Sequence, residues 1–250
     1  MEREIVIEAK DISVGYVDRM LLKKISFDVK RGEVFVILGG SGCGKSTLLK
    51  TMIDLLPLLG GEILILGESL AAASGDERIR ILSQIGVGYQ SGALFGSMTL
   101  EENITLVLEE FTNLPLEARR SIAWTKLKLV GLENFKQHLP SEISGGMQKR
   151  AAIARAMALD PSILFLDEPS AGLDPITSAE LDALILQLRD LLGVTFVIVS
   201  HELASIYSIA DRVIMLDKQS KGILAEGNPR DLRDHSKDPF VHRFFHREAE

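Results

Sequence analysis

The chain has 250 residues, of which 46% are hydrophobic and 25% charged, and its formal net charge is −7. That length suits one large α/β domain or two small ones, and the acidic balance disfavours a chain that wraps a nucleic-acid backbone. No apolar run approaches the roughly 18 residues of a spanning helix. The start, Met1-Glu2-Arg3-Glu4, has no signal-peptide pattern, so any link to a membrane is expected to run through a partner. The single cysteine, Cys43, allows no intrachain disulfide and fits a reducing compartment.

In chain order, strands come first. Ile5-Val6-Ile7 is an apolar run, and Ile25, Phe27 and Val29 alternate with polar Ser26, Asp28 and Lys30, the pattern of a half-buried strand. Residues 34–38 are continuously apolar, as in a strand buried on both faces. Residues 63–66 follow a Gly-Gly turn. From about 91 to 159 the spacing is mostly helical; 116–130 reads as a helix between Pro115 and Gly131. Strands return at 163–166 and 194–199, separated by a helix over about 176–192, and 213–216 and 223–226 close the pattern. The order predicts a βαβ sheet interrupted by a helical insertion.

Gly39-Gly40-Ser41-Gly42-Cys43-Gly44-Lys45-Ser46 fits the P-loop pattern between a buried strand and a helix that contains Thr47, Leu48, Leu49 and Met52. Glycines let successive N–H groups face phosphates, and the helix adds its positive end. Lys45 is expected on the β and γ phosphates and Ser46 on Mg²⁺. A glycine-rich loop without a ligand would not require this strand–loop–helix order. Ile163-Leu164-Phe165-Leu166 runs into Asp167 and Glu168. Asp167 is placed to hold Mg²⁺ directly or through water, and Glu168 to polarise the attacking water; two acids that cap the next helix are the plainer alternative. His201, after the apolar 194–199, could contact the γ-phosphate or hold the water, or be structural. His138, His235, His242 and His246 have no such placement.

Ile143-Ser144-Gly145-Gly146-Met147-Gln148 then stands shortly before Leu166-Asp167-Glu168-Pro169. With these elements in this order, the chain resembles an ABC-transporter nucleotide-binding domain over nearly its whole length. Ser144 can cap the following helix, and Gly145 and Gly146 would let its N-terminus approach a phosphate. The resemblance implies an α/β P-loop NTPase fold: a RecA-like core with an N-terminal antiparallel β subdomain and an inserted α-helical subdomain. The expected division is 1–90 and 160–228 for the nucleotide-binding core, 91–159 for the helical signature subdomain and 229–250 for the tail.

The resemblance also implies ATP hydrolysis with Mg²⁺ in a head-to-tail dimer of two copies. Each ATP then lies between one P-loop and the other copy's Ser144, Gly145 and Gly146. Tyr16 matches the adenine-stacking aromatic, with a surface tyrosine as the alternative. Gln90 matches the glutamine that senses Mg²⁺ and the membrane partner. Asp174, in Ser170-Ala171-Gly172-Leu173-Asp174, matches the loop at the dimer interface, and His201 matches the switch histidine. Ile143 replaces the usual Leu, and Met147 replaces the usual Gln, which removes a side-chain hydrogen bond. Ser-Gly-Gly-Met, Tyr89-Gln90-Ser91-Gly92-Ala93-Leu94-Phe95 and Asp174-Pro175-Ile176-Thr177 are similar to the ATPases of MCE-type lipid transport systems, the Mla phospholipid-trafficking type among them.

The implied partners are therefore a membrane permease gripping the helical subdomain, MCE-type lipid-binding and small regulatory subunits, and no nucleic acid. The implied place is the cytoplasmic side of a bacterial inner membrane. A soluble cluster-assembly ATPase, a transporter ATPase for another cargo and a catalytically dead regulator are the alternatives; Lys45, Asp167, Glu168 and His201 speak against the last. Two further expectations concern access. Cys43 should be open to a bulky maleimide that blocks ATP. The face made by Phe240, Val241, Phe244 and Phe245 should either dock on a partner or pack on the chain's own core.

Overall fold

The computed structural model describes residues 3–248. Met1 and Glu2 of the polar start, and Ala249 and Glu250 of the tail, lie outside the described residues. In chain order the elements are β1 (Ile5–Tyr16), β2 (Arg19–Lys30), β3 (Val34–Gly39), α1 (Lys45–Met52), β4 (Gly60–Ile65), β5 (Glu68–Ser69), α2 (Gly75–Ser83) and β6 (Ile85–Gly88). Then come α3 (Leu100–Phe111), α4 (Leu116–Leu129), α5 (Gly145–Ala156), β7 (Ile163–Asp167), α6 (Pro175–Leu192) and β8 (Thr195–Val199). The chain closes with α7 (Leu203–Ile209), β9 (Arg212–Leu216), β10 (Ile223–Gly227), α8 (Pro229–His235) and α9 (Pro239–His246).

The apolar runs form a parallel ladder in the order β9-β3-β8-β7-β6, with β10 antiparallel on the outer edge of β9. Period-2 alternation divides their side chains between two cores. Val34, Val36, Leu38, Leu164, Leu166, Phe196 and Ile198 face a core covered by α3 to α7 and α9. Phe35, Ile37, Ile163, Phe165, Val197 and Val199 face the other, closed by α1 and a four-stranded antiparallel sheet, β2-β1-β4-β5. Each such side chain contributes about 1.5–3 kcal/mol on burial, so a one-residue slip would exchange the two faces of a strand and lose both sets of contacts. Arg212 ties the sheets together. Its guanidinium donates to Glu33 at 2.8 Å and to Asp28 at 3.2 Å and lies 5.0 Å from the Phe35 ring centre.

Between β6 and β7 the described chain holds helices α3, α4 and α5 and no strand. A reciprocal capping box of Thr99 and Glu102 starts α3. The segments not foreseen from sequence are β5, α2, β6, α7 and α8. In β6, Gly86 and Gly88 replace the side chains that would mark a strand; a Cβ on Gly88 would come within 2.7 Å of the Leu166 side chain, so the close approach of β7 accounts for the residue that hides the strand. The tail is settled by burial: Val241 and Phe245 are in the larger core, with Phe240 and Phe244 packed against it. The apolar face of α9 therefore covers its own chain.

One buried acid sits between α6 and α7. Asp182 is packed beside Ser178 and Ser205, whose hydroxyls are 3.4 Å apart. Burial pushes its carboxyl up to about 6, helped by the charge of Glu202 and opposed by a hydrogen bond from Ser205. The folded value thus lies above the unfolded one near 3.8. Between these values the folded chain keeps a proton that the unfolded chain has lost, so stability falls as pH rises through this window. Asp182→Asn removes the cost of the buried charge. Its melting temperature should exceed wild type at pH 8, by about 2–4 °C for each kcal/mol relieved, and the gap should close as pH falls from 6 towards 4. Thermal unfolding across that range checks it.

Candidate nucleotide site

The parallel strands β3, β7 and β8 deliver their C-terminal ends to one edge. From Gly39 the backbone turns sharply at φ 144°, where a Cβ would lie 2.5 Å from the Leu216 carbonyl oxygen and 2.6 Å from Cys43 Sγ, so only glycine fits. The loop opens α1 at Gly44, which offers no side-chain cap, and the first turn of α1 carries no acid. The leading N–H groups and the positive end of α1 are therefore free for an anion. Lys45 donates from Nζ to the carbonyls of Gly39 at 2.9 Å and Gly40 at 3.3 Å, which leaves one of its three donors unused.

Cys43 contradicts the expected access. It is only 1% exposed, it belongs to the second core, and burial raises its thiol above the ordinary value. Its side chain points away from the cleft, so a bulky maleimide meets it poorly; its contribution to the loop is its backbone, with N–H donating to the Gly40 carbonyl at 3.3 Å.

Asp167 ends β7 opposite Val199 of β8. The Ser46 hydroxyl donates to its carboxylate at 3.1 Å, across 121 residues of sequence. The next residue, Glu168, has left-handed backbone at φ 49°, held by its N–H donating to the Val199 carbonyl at 2.9 Å. A non-glycine residue there is strained, and such strain gathers at functional sites. The turn aims the Glu168 side chain, 13% exposed, at His201, which donates from Nδ1 to its carboxylate at 2.8 Å; the imidazole itself is 68% exposed. The alternative in which Asp167 and Glu168 merely cap a helix does not hold: Asp174 caps α6, accepting from the N–H groups of Ile176 at 3.0 Å and Thr177 at 3.1 Å.

One cleft of about 430 Å³ has Tyr16, Lys45, Ser46, Gln90, Glu168 and His201 on its walls, while Gly39, Gly40, Cys43 and Asp167 do not line it. Ser41, Gly42, Gly44 and Thr47 also face it. Tyr16 stands exposed at the end of β1, paired with Arg19 across the hairpin. Arg19, an exposed cation on the rim, escaped the sequence reading; only the hairpin register would have found it. Lys149 escaped it too. Its ammonium, on α5, donates to the Gln90 carbonyl, and burial lowers its proton affinity against the pull of Glu168.

Ser144, Gly145, Gly146 and Asp174 are not on this cleft. They sit at the N-termini of α5 and α6. The Ser144 hydroxyl accepts from Met147 N–H at 3.2 Å and caps α5, again with no acid in the first turn. The two glycines differ. Gly146 is buried, and a Cβ there would collide with the Thr177 side chain, so helix packing explains it. Gly145 is exposed, with nothing nearer a Cβ than Leu173 at 4.0 Å, and remains open to a ligand from outside.

Comparison with known proteins agrees with this arrangement. A model of the ABC transporter family matches residues 22–171. The intermembrane phospholipid transport system ATP-binding protein MlaF of Escherichia coli strain K12 is 40% identical over 240 residues, 96% of this chain and 88% of that protein. The "Probable ribonucleotide transport ATP-binding protein mkl" of Mycobacterium leprae is 38% identical over 98% of this chain and 70% of that protein. Among solved structures, the dimeric post-hydrolysis state of the ATP-binding cassette MJ0796 bound to ADP and Pi superposes with a TM-score of 0.78 at 31% identity, covering 89% of this chain and 98% of that one. The chain therefore belongs to the ABC transporter family and is an ATP-binding, ATP-hydrolysing subunit of such a transporter.

Proposed function

We propose that this chain energises a membrane permease that moves phospholipid or another strongly apolar cargo. The observation that carries the reading is the 40% identity to MlaF across 96% of the chain, together with the Ser144-Gly145-Gly146-Met147 and Gln90-to-Phe95 sequences. In this reading 1–90 and 160–228 bind nucleotide, 91–159 carries the signature and 229–250 is a tail.

The N–H groups at the start of α1 and the Lys45 ammonium bind the β and γ phosphates, while Tyr16 stacks on adenine. Ser46 and Asp167 offer two hard oxygen donors 3.1 Å apart, a donor set that fits Mg²⁺; the ion when bound supplies charge neutralisation at the phosphates. Glu168 takes the proton of a water as its oxygen attacks the γ-phosphorus. The bond to the β–γ bridging oxygen breaks, and ADP leaves with that electron pair. His201 holds the Glu168 carboxylate in place, and Gln90 reads the γ-phosphate end. Ser144, Gly145 and Gly146, with Asp174 beside them, serve the nucleotide of a second copy. The MJ0796 cassettes, which are dimeric, support a pairing of two copies.

The permease has a suitable seat. A groove of about 260 Å³ runs between α2, β6, α3 and α5, lined by Ile79, Leu82, Val107, Phe111, Ala156 and Leu159. Ile79 is 51% and Phe111 56% exposed. Strand β6 leads from this groove directly to Gln90, so a helix seated there would follow changes at the phosphates. No described helix is long and apolar enough to cross a membrane; in this reading the chain attaches to the cytoplasmic face of an inner membrane through that permease.

Glu168→Gln should keep MgATP binding and lower hydrolysis by about 10²–10⁴-fold, the usual weight of one general base. Equilibrium binding and phosphate release measure the two; near-normal turnover would remove Glu168 from the chemistry. Lys45→Ala should instead weaken nucleotide affinity by roughly 10- to 100-fold through loss of a charge-assisted contact, which nucleotide titration reads.

The cargo is tested in liposomes that contain the co-purifying permease. Lipid transfer should require ATP and fail with Glu168→Gln. Stimulation of hydrolysis by ribonucleotides, sugars or amino acids with no response to lipid would overturn the lipid reading and leave the ABC assignment intact. Recovery of a soluble scaffold and no membrane protein would favour the cluster-assembly alternative.

A further inference from the structure

The terminal helix α9 reaches the nucleotide loop. Its start is fixed by the Asp238 carboxylate, which accepts from the N–H groups of Phe240 at 2.8 Å and Val241 at 3.1 Å, with Pro239 setting the first turn. Val241 and Phe245 anchor it in the core, and the Tyr207 hydroxyl of α7 donates to the Phe245 carbonyl at 3.4 Å. Held this way, α9 brings the Phe240 ring to the back of the P-loop: a Cβ built on Gly40 would meet Phe240 Cζ at 3.8 Å and nothing else within 4 Å. Phe240 and Gly40 also share the wall of a cleft of about 450 Å³ that does not include Tyr16, Lys45, Glu168 or His201.

Gly40 matters because its carbonyl organises the loop. It accepts from Cys43 N–H and from Lys45 Nζ, both at 3.3 Å. Gly39 is already wedged against the Leu216 carbonyl, so one glycine is fixed by β9, and the next faces an aromatic ring across a gap no wider than one added carbon would fill. Glycine loses more conformational freedom on ordering than any other residue, and a loop not held before the ligand arrives must lose that freedom on binding.

We infer that Phe240 is a positioning residue for the ATP-binding P-loop, bracing Gly40 from the side away from the nucleotide. This rests on the cleft being the nucleotide site, which wild-type affinity and Lys45→Ala check separately. The brace acts on binding rather than on the chemical step, because Phe240 touches neither Glu168 nor His201 among the cleft's walls.

The test uses the full-length chain and MgATP. Phe240→Ala should weaken the dissociation constant about 3- to 10-fold and leave kcat at saturating ATP within about twofold. Phe240→Leu should fall between Phe240→Ala and wild type, and keeps enough bulk to hold the helix in place. Phe244→Ala is the control. It removes a ring from the same helix, edge-on to Phe245 at 5.4 Å between centres, and should lower the melting temperature without moving affinity. Hydrogen exchange gives a second readout: amides of 41–45 should exchange faster in both Phe240 variants and not in Phe244→Ala. Unchanged affinity and loop exchange in Phe240→Leu and Phe240→Ala would overturn the inference. So would an equal loss of affinity in Phe244→Ala, which would reduce α9 to a purely stabilising role.

Discussion

The hydrogen bond between Ser46 and Asp167 is the point at which the fold becomes a site. Ser46 stands in the first turn of α1 and Asp167 ends β7, with 121 residues between them. Their 3.1 Å contact requires β3 and β7 to end at the same level, on either side of β8. The two cores set that level, since each strand's alternate residues must face the correct one. One polar contact at the edge is therefore fixed by the buried apolar side chains of β3, β7 and β8 behind it. The left-handed turn at Glu168 depends on the same frame, because its N–H is paired to Val199 of β8.

Helix starts divide by chemistry. Helix α3 begins with a capping box and two acids, Glu101 and Glu102, in its first turn, so its dipole and its N–H groups are satisfied within the chain. Helix α1 begins at a glycine, with neither cap nor acid. Helix α5 has its Ser144 cap but no acid, and one exposed glycine. Of these three, α1 and α5 keep a positive end available, and only α1 opens on the cleft. The other faces outward, which is the arrangement a second copy could complete.

Much of this was legible in the sequence because the signals are local. The four glycines and Lys45 of the loop, the apolar runs that end in Asp167 and before His201, and the punctuated helix over 116–130 each follow from neighbours in the chain. What sequence could not supply was contact at a distance. Strand β6 hides behind two glycines, Gly88 crowded by β7 and Gly86 by both β7 and the backbone of α5. Arg19 and Lys149 reach the site through a hairpin register and a helix face. Cys43 looked accessible because the motif places it among phosphate-binding residues, yet alternate residues of a curled loop point opposite ways, and its thiol points inward. Gly146 looked functional for want of a packing reason, which Thr177 of α6 supplies.

A polar seam on α6 lies behind the segment that carries His201. Helix α7 starts two residues after His201, and the Ser200 hydroxyl accepts from Glu202 N–H at 3.1 Å at that junction. Ser205 of α7 lies against Ser178 and Asp182 of α6, all three buried. Helix α6 is in turn started by Asp174, on the outward face. The outward face at Asp174, the buried seam and the start of α7 beside His201 therefore form one continuous run of contacts. On the other side, Tyr207 of α7 connects through Phe245 to α9. Helix α7 thus adjoins both His201, just before its start, and α9 at its side.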